Sequence, residues 1–137
     1  MAVLIIDPAA EDELDRLYES DEDAAALIDA LLEQLGDDEG TLGEIFRPGH
    51  FFRYRPPFEV KRFEEAQRRG KNIFTMRVRD EAGTLLPYRV LFAHHAQIDS
   101  YYVLSVASRE DAYDPSKPGF LDLLVRYDEH GIPAYKY

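Results

Sequence analysis

Between Asn72 and Asp114 the chain alternates apolar and polar side chains in three short runs, Ile73–Arg79, Tyr88–His95 and Tyr101–Arg109. Each run is rich in β-branched and aromatic residues, and Asp80–Gly83 and Ala96–Ser100 supply turn chemistry between them, which predicts three β-strands in an antiparallel meander. Successive side chains of a strand point to opposite faces. One face would hold Phe74, Met76, Val78, Val90, Phe92, Tyr102, Leu104 and Val106, a set apolar enough to bury. The other would hold Thr75, Arg77, Arg79, Arg89, Ser105 and Arg109. With the middle strand paired to both neighbours, Arg77 and Arg79 end the first strand, Arg89 begins the second and Arg109 ends the third, so all fall at one end of the sheet. Neighbouring strands lie about 4.8 Å apart, so the guanidinium groups would converge on a patch roughly 10 Å wide. Converging guanidinium groups repel unless an anion lies between them, and their planar donors suit phosphate. The competing reading is of solvated arginines paired with Asp80, Glu81, Glu110 and Asp111.

Outside the meander the period changes. Val3-Leu4-Ile5-Ile6 predicts a short strand ended by Asp7-Pro8, a helix cap followed by proline in the first turn. Ala9–Tyr18 carries Leu14, Leu17 and Tyr18 at helical spacing. Ser20 or Asp21 then caps a second helix, Ala24–Leu35, with an apolar stripe of Leu27, Ile28, Leu31, Leu32 and Leu35. Gly36 is expected to close it and Asp37–Gly43 to form a polar turn. Ile45–Pro57 mixes Phe46, Phe51, Phe52 and Tyr54 with Arg47, His50, Arg53 and Arg55 among prolines that break a long helix, so an irregular loop is expected, with room for a short strand around Phe51–Arg55. Phe58–Arg69 reads either as a short helix ended at Gly70 or as a loop laid on the sheet. Asp114–Gly119 reads as a turn, and Phe120–Tyr127 as a short helix with Leu121, Leu124 and Val125 inward. A tail from Gly131 ends in Tyr135 and Tyr137.

A chain of 137 residues makes one domain with a core of useful size. Without cysteine there is no disulfide, thiolate metal site or thiol nucleophile. No apolar run approaches the roughly 18–20 residues that span a bilayer, and Met1–Pro8 lacks the pattern of a secretory signal, so a cytoplasmic location is expected. The net charge of −11 is unevenly spread: residues 1–44 carry 15 acidic and 1 basic side chain, whereas residues 45–79 carry 10 basic and 3 acidic. A basic middle beside an acidic front is compatible with a local polyanion site, and basic residues interleaved with aromatics suit RNA. The four histidines show no metal-ligand spacing, and neither a phosphate-cradling glycine loop nor a Gly-x-Ser-x-Gly turn occurs, so no metal or cofactor is expected.

The order strand, two helices, three-strand meander and short helix resembles the RelE/ParE superfamily of bacterial toxins. The local match lies in Phe74-Thr75-Met76-Arg77-Val78-Arg79, in Tyr88-Arg89-Val90-Leu91-Phe92 and in Ser105-Val106-Ala107-Ser108-Arg109 with Tyr113 beyond it. The resemblance implies an α+β fold: an N-terminal strand and two helices packed on an antiparallel β-meander, closed by a short C-terminal helix. It implies a type II toxin with a cognate antitoxin as partner. In RelE-type members the toxin enters the ribosome and cuts mRNA by attack of the messenger's 2′-hydroxyl on the adjacent phosphate. In ParE-type members it inhibits DNA gyrase without chemistry of its own. A non-toxic protein-binding member is the third possibility. Carried over to this chain, Arg77, Arg89, Arg109 and Tyr113 take the catalytic places, and Arg79, Lys71, Arg69 and Lys61 the surrounding RNA contacts. Thr75 stands where RelE has a lysine, which leaves the general base open among Glu110, Asp111 and His50. The acidic net charge is also unlike ribosome-binding toxins, which are usually basic.

Overall fold

The computed structural model describes residues 2–43, 45–46 and 58–134. Strand β1 (Val3–Ile6) stops at Asp7, whose carboxylate accepts from the Ala9 amide at 2.7 Å while Pro8 takes the first helical position of α1 (Pro8–Ser20). Asp21 repeats the device, accepting from the Ala24 amide at 3.3 Å to open α2 (Glu22–Asp37). Gly36 does not end this helix. The Asp38 amide still bonds to the Gln34 carbonyl, and a short α3 (Glu39–Leu42) stands where a polar turn was expected.

The segment read as helix or loop divides into strand β2 (Phe58–Arg62) and helix α4 (Glu64–Arg68). Pairing with β3 (Ile73–Arg79) gives β2 the backbone partners that a loop would lack, so tertiary pairing overrides a weak local signal. Strand β4 (Leu85–His95) begins three residues before its expected start, and β5 (Ser100–Ser108) ends before Arg109. Arg109 instead opens helix α5 (Arg109–Tyr113), capped by the Ser108 hydroxyl, which accepts from the Asp111 amide. The last helix, α6 (Pro118–Glu129), begins two residues before Phe120, within the stretch read as a turn.

The result is an α+β domain around one mixed five-stranded sheet in the order β1-β5-β4-β3-β2, with β1 parallel to β5 and the other pairs antiparallel. One face is packed by α1 and α2, with Ile28, Leu31 and Leu35 against Met76, Val90, Phe92, Val103 and Val106. The opposite face, expected to be polar, is covered as well: Phe63, Phe120, Leu123 and Tyr127 pack on Ile73, Leu91, Ala93, Tyr102 and Leu104. Helix α6 is therefore rotated from expectation. Phe120, Leu123 and Tyr127 point inward at i, i+3 and i+7, while Leu121 and Val125 are 54% and 53% exposed.

Two irregularities explain the strand faces. Leu91 pairs with Ser105 and Phe92 with Val103, so Leu104 is an extra residue in β5. This bulge turns Tyr102 and Leu104 onto the second face, away from Val106, and overturns the expected single apolar set. Between β3 and β4 the register moves from Arg77–Arg89 to Arg79–Leu85, which places Pro87 within a widened stretch of β4. Proline has no amide to give a ladder and is confined to such places or to edges.

Candidate functional site

The rim of the second face, where β2, β3 and β4 meet, carries the charged cluster. Glu59 on β2 lies directly opposite Arg77 on β3, and Arg77 directly opposite Arg89 on β4. Like charges placed opposite one another across strands repel. The two arginines accordingly turn apart. Arg77 Nη1 pairs with Glu59 Oε1 at 3.2 Å, and Arg79 Nη2 reaches the same oxygen at 3.8 Å while its Nη1 donates to the Gly83 carbonyl at 3.0 Å. Lys61 is exposed on the same face of β2, two residues from Glu59. One carboxylate thus stands between two guanidinium groups, with a third cation beside them.

Arg89 goes the other way. It is 3% exposed, and its Nη1 donates to the carbonyls of Leu86 at 2.8 Å and Tyr88 at 3.0 Å. These carbonyls belong to the irregular stretch of β4, where ladder partners are lost, so the guanidinium supplies the missing donors. The Tyr113 ring of α5 lies 6.0 Å from Arg89 Cζ and meets the Phe63 ring edge-on at 5.5 Å. Next to Arg89, the Tyr88 hydroxyl donates to Asp21 at 3.1 Å; burial, then that hydrogen bond, holds the phenol above its ordinary pKa.

The structure thus brings Arg77, Arg79 and Lys61 to one rim and puts Arg89 behind it. Arg109 stands just past the Ser108–Tyr88 pair, exposed on the first turn of α5 rather than at a strand end, with Glu110 and Asp111 exposed beside it. Lys71 and Arg69 are placed elsewhere. Lys71 pairs with Asp128 at 2.6 Å and sits over Tyr127, while Arg69 pairs with Glu65 at 3.2 Å and covers the Phe120 ring, so both serve as lids on the second core. The basic and aromatic loop, with Arg47, His50, Phe51, Phe52, Arg53, Tyr54 and Arg55, lies outside the described residues, as do Tyr135 and Tyr137.

Glu59 was not among the candidates for a base. Its signal was present in the alternation of Phe58 and Val60 with Glu59 and Lys61, but it is too short to separate a strand from a helix without the partner strand. Among the described residues no group of three or more His, Asp and Glu side chains could hold a metal ion, and no helix is long and apolar enough to cross a membrane. Compared with models of known protein families, with curated proteins and with solved structures, the chain matches none.

Proposed function

We propose that the chain is a RelE-like mRNA endoribonuclease, the toxin of a type II toxin–antitoxin pair acting on ribosome-bound messenger, with Glu59 as its general base. The observation that carries this reading is the single carboxylate of Glu59 on β2, held by Arg77 and Arg79 of the neighbouring β3 at an accessible rim. Cleavage by the messenger's own hydroxyl needs those groups. The Glu59 carboxylate takes the 2′-hydroxyl proton, the 2′-oxygen forms a bond to phosphorus, and the bond from phosphorus to the 5′-oxygen breaks. The departing 5′-oxygen takes a proton from water or from the half-exposed Tyr113 phenol, and the products are a 2′,3′-cyclic phosphate and a 5′-hydroxyl. Arg77 and Arg79 neutralise charge gathering on the phosphate oxygens. The order of strand, helical pair and meander, with β1 parallel to the last strand, supports the reading, as does the basic character of residues 45–79.

The test is a purified ribosome programmed with a short message, with cleavage read as new 5′-hydroxyl ends. Glu59→Gln is expected to lower the rate on the order of 10²-fold or more. A folded Glu59→Gln protein that cuts at the wild-type rate ends the assignment of the base, and a wild-type protein that never cuts ends the nuclease reading. One observation favours the ParE-like alternative, a non-enzymatic inhibitor of DNA gyrase: Arg89 is buried with its Nη1 committed to its own backbone, and Glu59 already matches Arg77. Inhibition of gyrase supercoiling by wild type and Glu59→Gln alike, without RNA cleavage, selects that alternative.

A further inference from the structure

Strand β5 is nine residues long, yet β1 covers only Ser100–Val103. The chain then leaves the sheet at Asp7 to begin α1, and among the described residues no strand pairs with the rest of the β5 edge. Its first groups are met from inside the molecule. Arg126 Nη1 donates to the Leu104 carbonyl at 2.8 Å, and Glu13 Oε1 accepts from the Val106 amide at 3.1 Å. Alternate residues of a strand direct their backbone groups to the same edge. The Val106 carbonyl and the Ser108 amide therefore come next, and they line a cleft of ≈ 440 Å³ walled by α1 on one side and by α5 and the start of α6 on the other. That size lies within the roughly 300–1,000 Å³ of ligand-binding clefts.

We propose that this cleft binds an extended acidic peptide that continues β1, pairing in parallel with β5. A peptide residue seated opposite Ala107 donates its amide to the Val106 carbonyl and accepts from the Ser108 amide, the same alternation by which β1 pairs with β5. Charge selects the class of peptide. Arg16 of α1 and Lys117 at the entry to α6 face the cleft from opposite walls; among the described residues neither makes a close ion pair, although the exposed Asp114 carboxylate feels the charge of Lys117. Glu13, the acid at the floor, is already matched by Arg126 at 3.0 Å and by the Ser105 hydroxyl at 2.9 Å, which leaves Asp111 at the rim as the opposing charge. Glu59 lies on β2, the opposite edge strand of the sheet, and the cleft does not depend on the nuclease reading.

The test uses the full chain and a blocked, fluorescently labelled peptide of alternating glutamate and valine, with a lysine-for-glutamate peptide as comparison. Saturable binding of the acidic peptide is expected, with the lysine peptide about tenfold weaker, and Arg16→Glu with Lys117→Glu should reverse that order. Hydrogen exchange of the Ser108 amide should slow on binding, and methylation of the peptide amide opposite Ala107 should abolish the slowing. Arg77→Ala should leave binding unchanged, which separates this site from the rim. Absence of binding at millimolar peptide, equal affinity for both peptides, or binding that leaves Ser108 exchange untouched overturns the proposal.

Discussion

Beneath α1 and α2 the sheet meets a layer of aliphatic and aromatic side chains: Ile28, Leu31, Leu32 and Leu35 lock onto Met76, Val90, Phe92 and Val103. Beneath α4, α5 and α6 the same strands bury Thr75, Arg89, Gln67 and Ser105 among Leu91, Phe120, Leu123 and Tyr127. A buried polar group costs free energy unless it finds partners. Gln67 Nε2 donates to the Ile73 carbonyl at 3.2 Å, Ser105 donates to Glu13, and Arg89 donates to two β4 carbonyls. Thr75 Oγ1 and Arg89 Nε are buried without a hydrogen-bond partner among the described residues. One face is thus built for cohesion alone. The other gives up cohesion to hold irregular strands and the charged rim, and the cleft at the β5 edge opens where the two layers meet.

The largest loss is expected from a hole in the first face. Ile28→Ala, at a fully buried position, should cost about 2–5 kcal/mol in urea unfolding; a smaller loss would mean that the layer is loosely packed. Next comes the tie between the layers. Glu13 Oε1 accepts from Ser105, Val106 and Arg126, so Glu13→Ala should cost about 2–4 kcal/mol by leaving a half-buried guanidinium and an edge amide without their acceptor. Arg89→Met sharpens the contrast. If the guanidinium serves the backbone of β4, the change should destabilise by about 1–3 kcal/mol, because two carbonyls lose their donor. An Arg89→Met protein as stable as wild type would instead free Arg89 for a role toward a ligand.

The smallest effect lies on the outer side of the first layer, where the Tyr18 hydroxyl donates to Asp29 at 2.7 Å and joins α1 to α2. That hydrogen bond, then burial and the nearby carboxylates, pushes the phenol from 10.0 up to about 12. A raised folded-state pKa means stability that is complete below pH 10 and is lost as the pH climbs towards about 12. Tyr18→Phe should cost about 0.5–1 kcal/mol at neutral pH, and its melting temperature should fall less steeply than that of wild type across that alkaline window, as followed by circular dichroism.

Local rules reached far into this fold. Asp7-Pro8 and Asp21 mark their helix starts within the sequence because a cap acts over two or three residues, and Ile73–Arg79 shows its strand because alternation is a property of the strand itself. The reading failed where the deciding partner is distant. Leu121, Leu124 and Val125 make as plausible an apolar stripe as Phe120, Leu123 and Tyr127, and packing on the second core buries the latter, keeps Leu124 at its margin and leaves Leu121 and Val125 exposed.

The candidate site divides in the same way. Its arginines, and their gathering near one end of the sheet, could be read from alternation and turn positions alone. Which of them faces solvent could not. The bulge at Leu104, the widened stretch around Pro87 and the pairing of β2 with β3 send Arg89 inward and bring Glu59 to Arg77. Local composition and spacing were enough to mark which residues can form strands, caps and charges. The tertiary structure decided which charges meet, because a single extra residue reverses the face of every side chain beyond it and the register between strands is set by contacts remote in the chain.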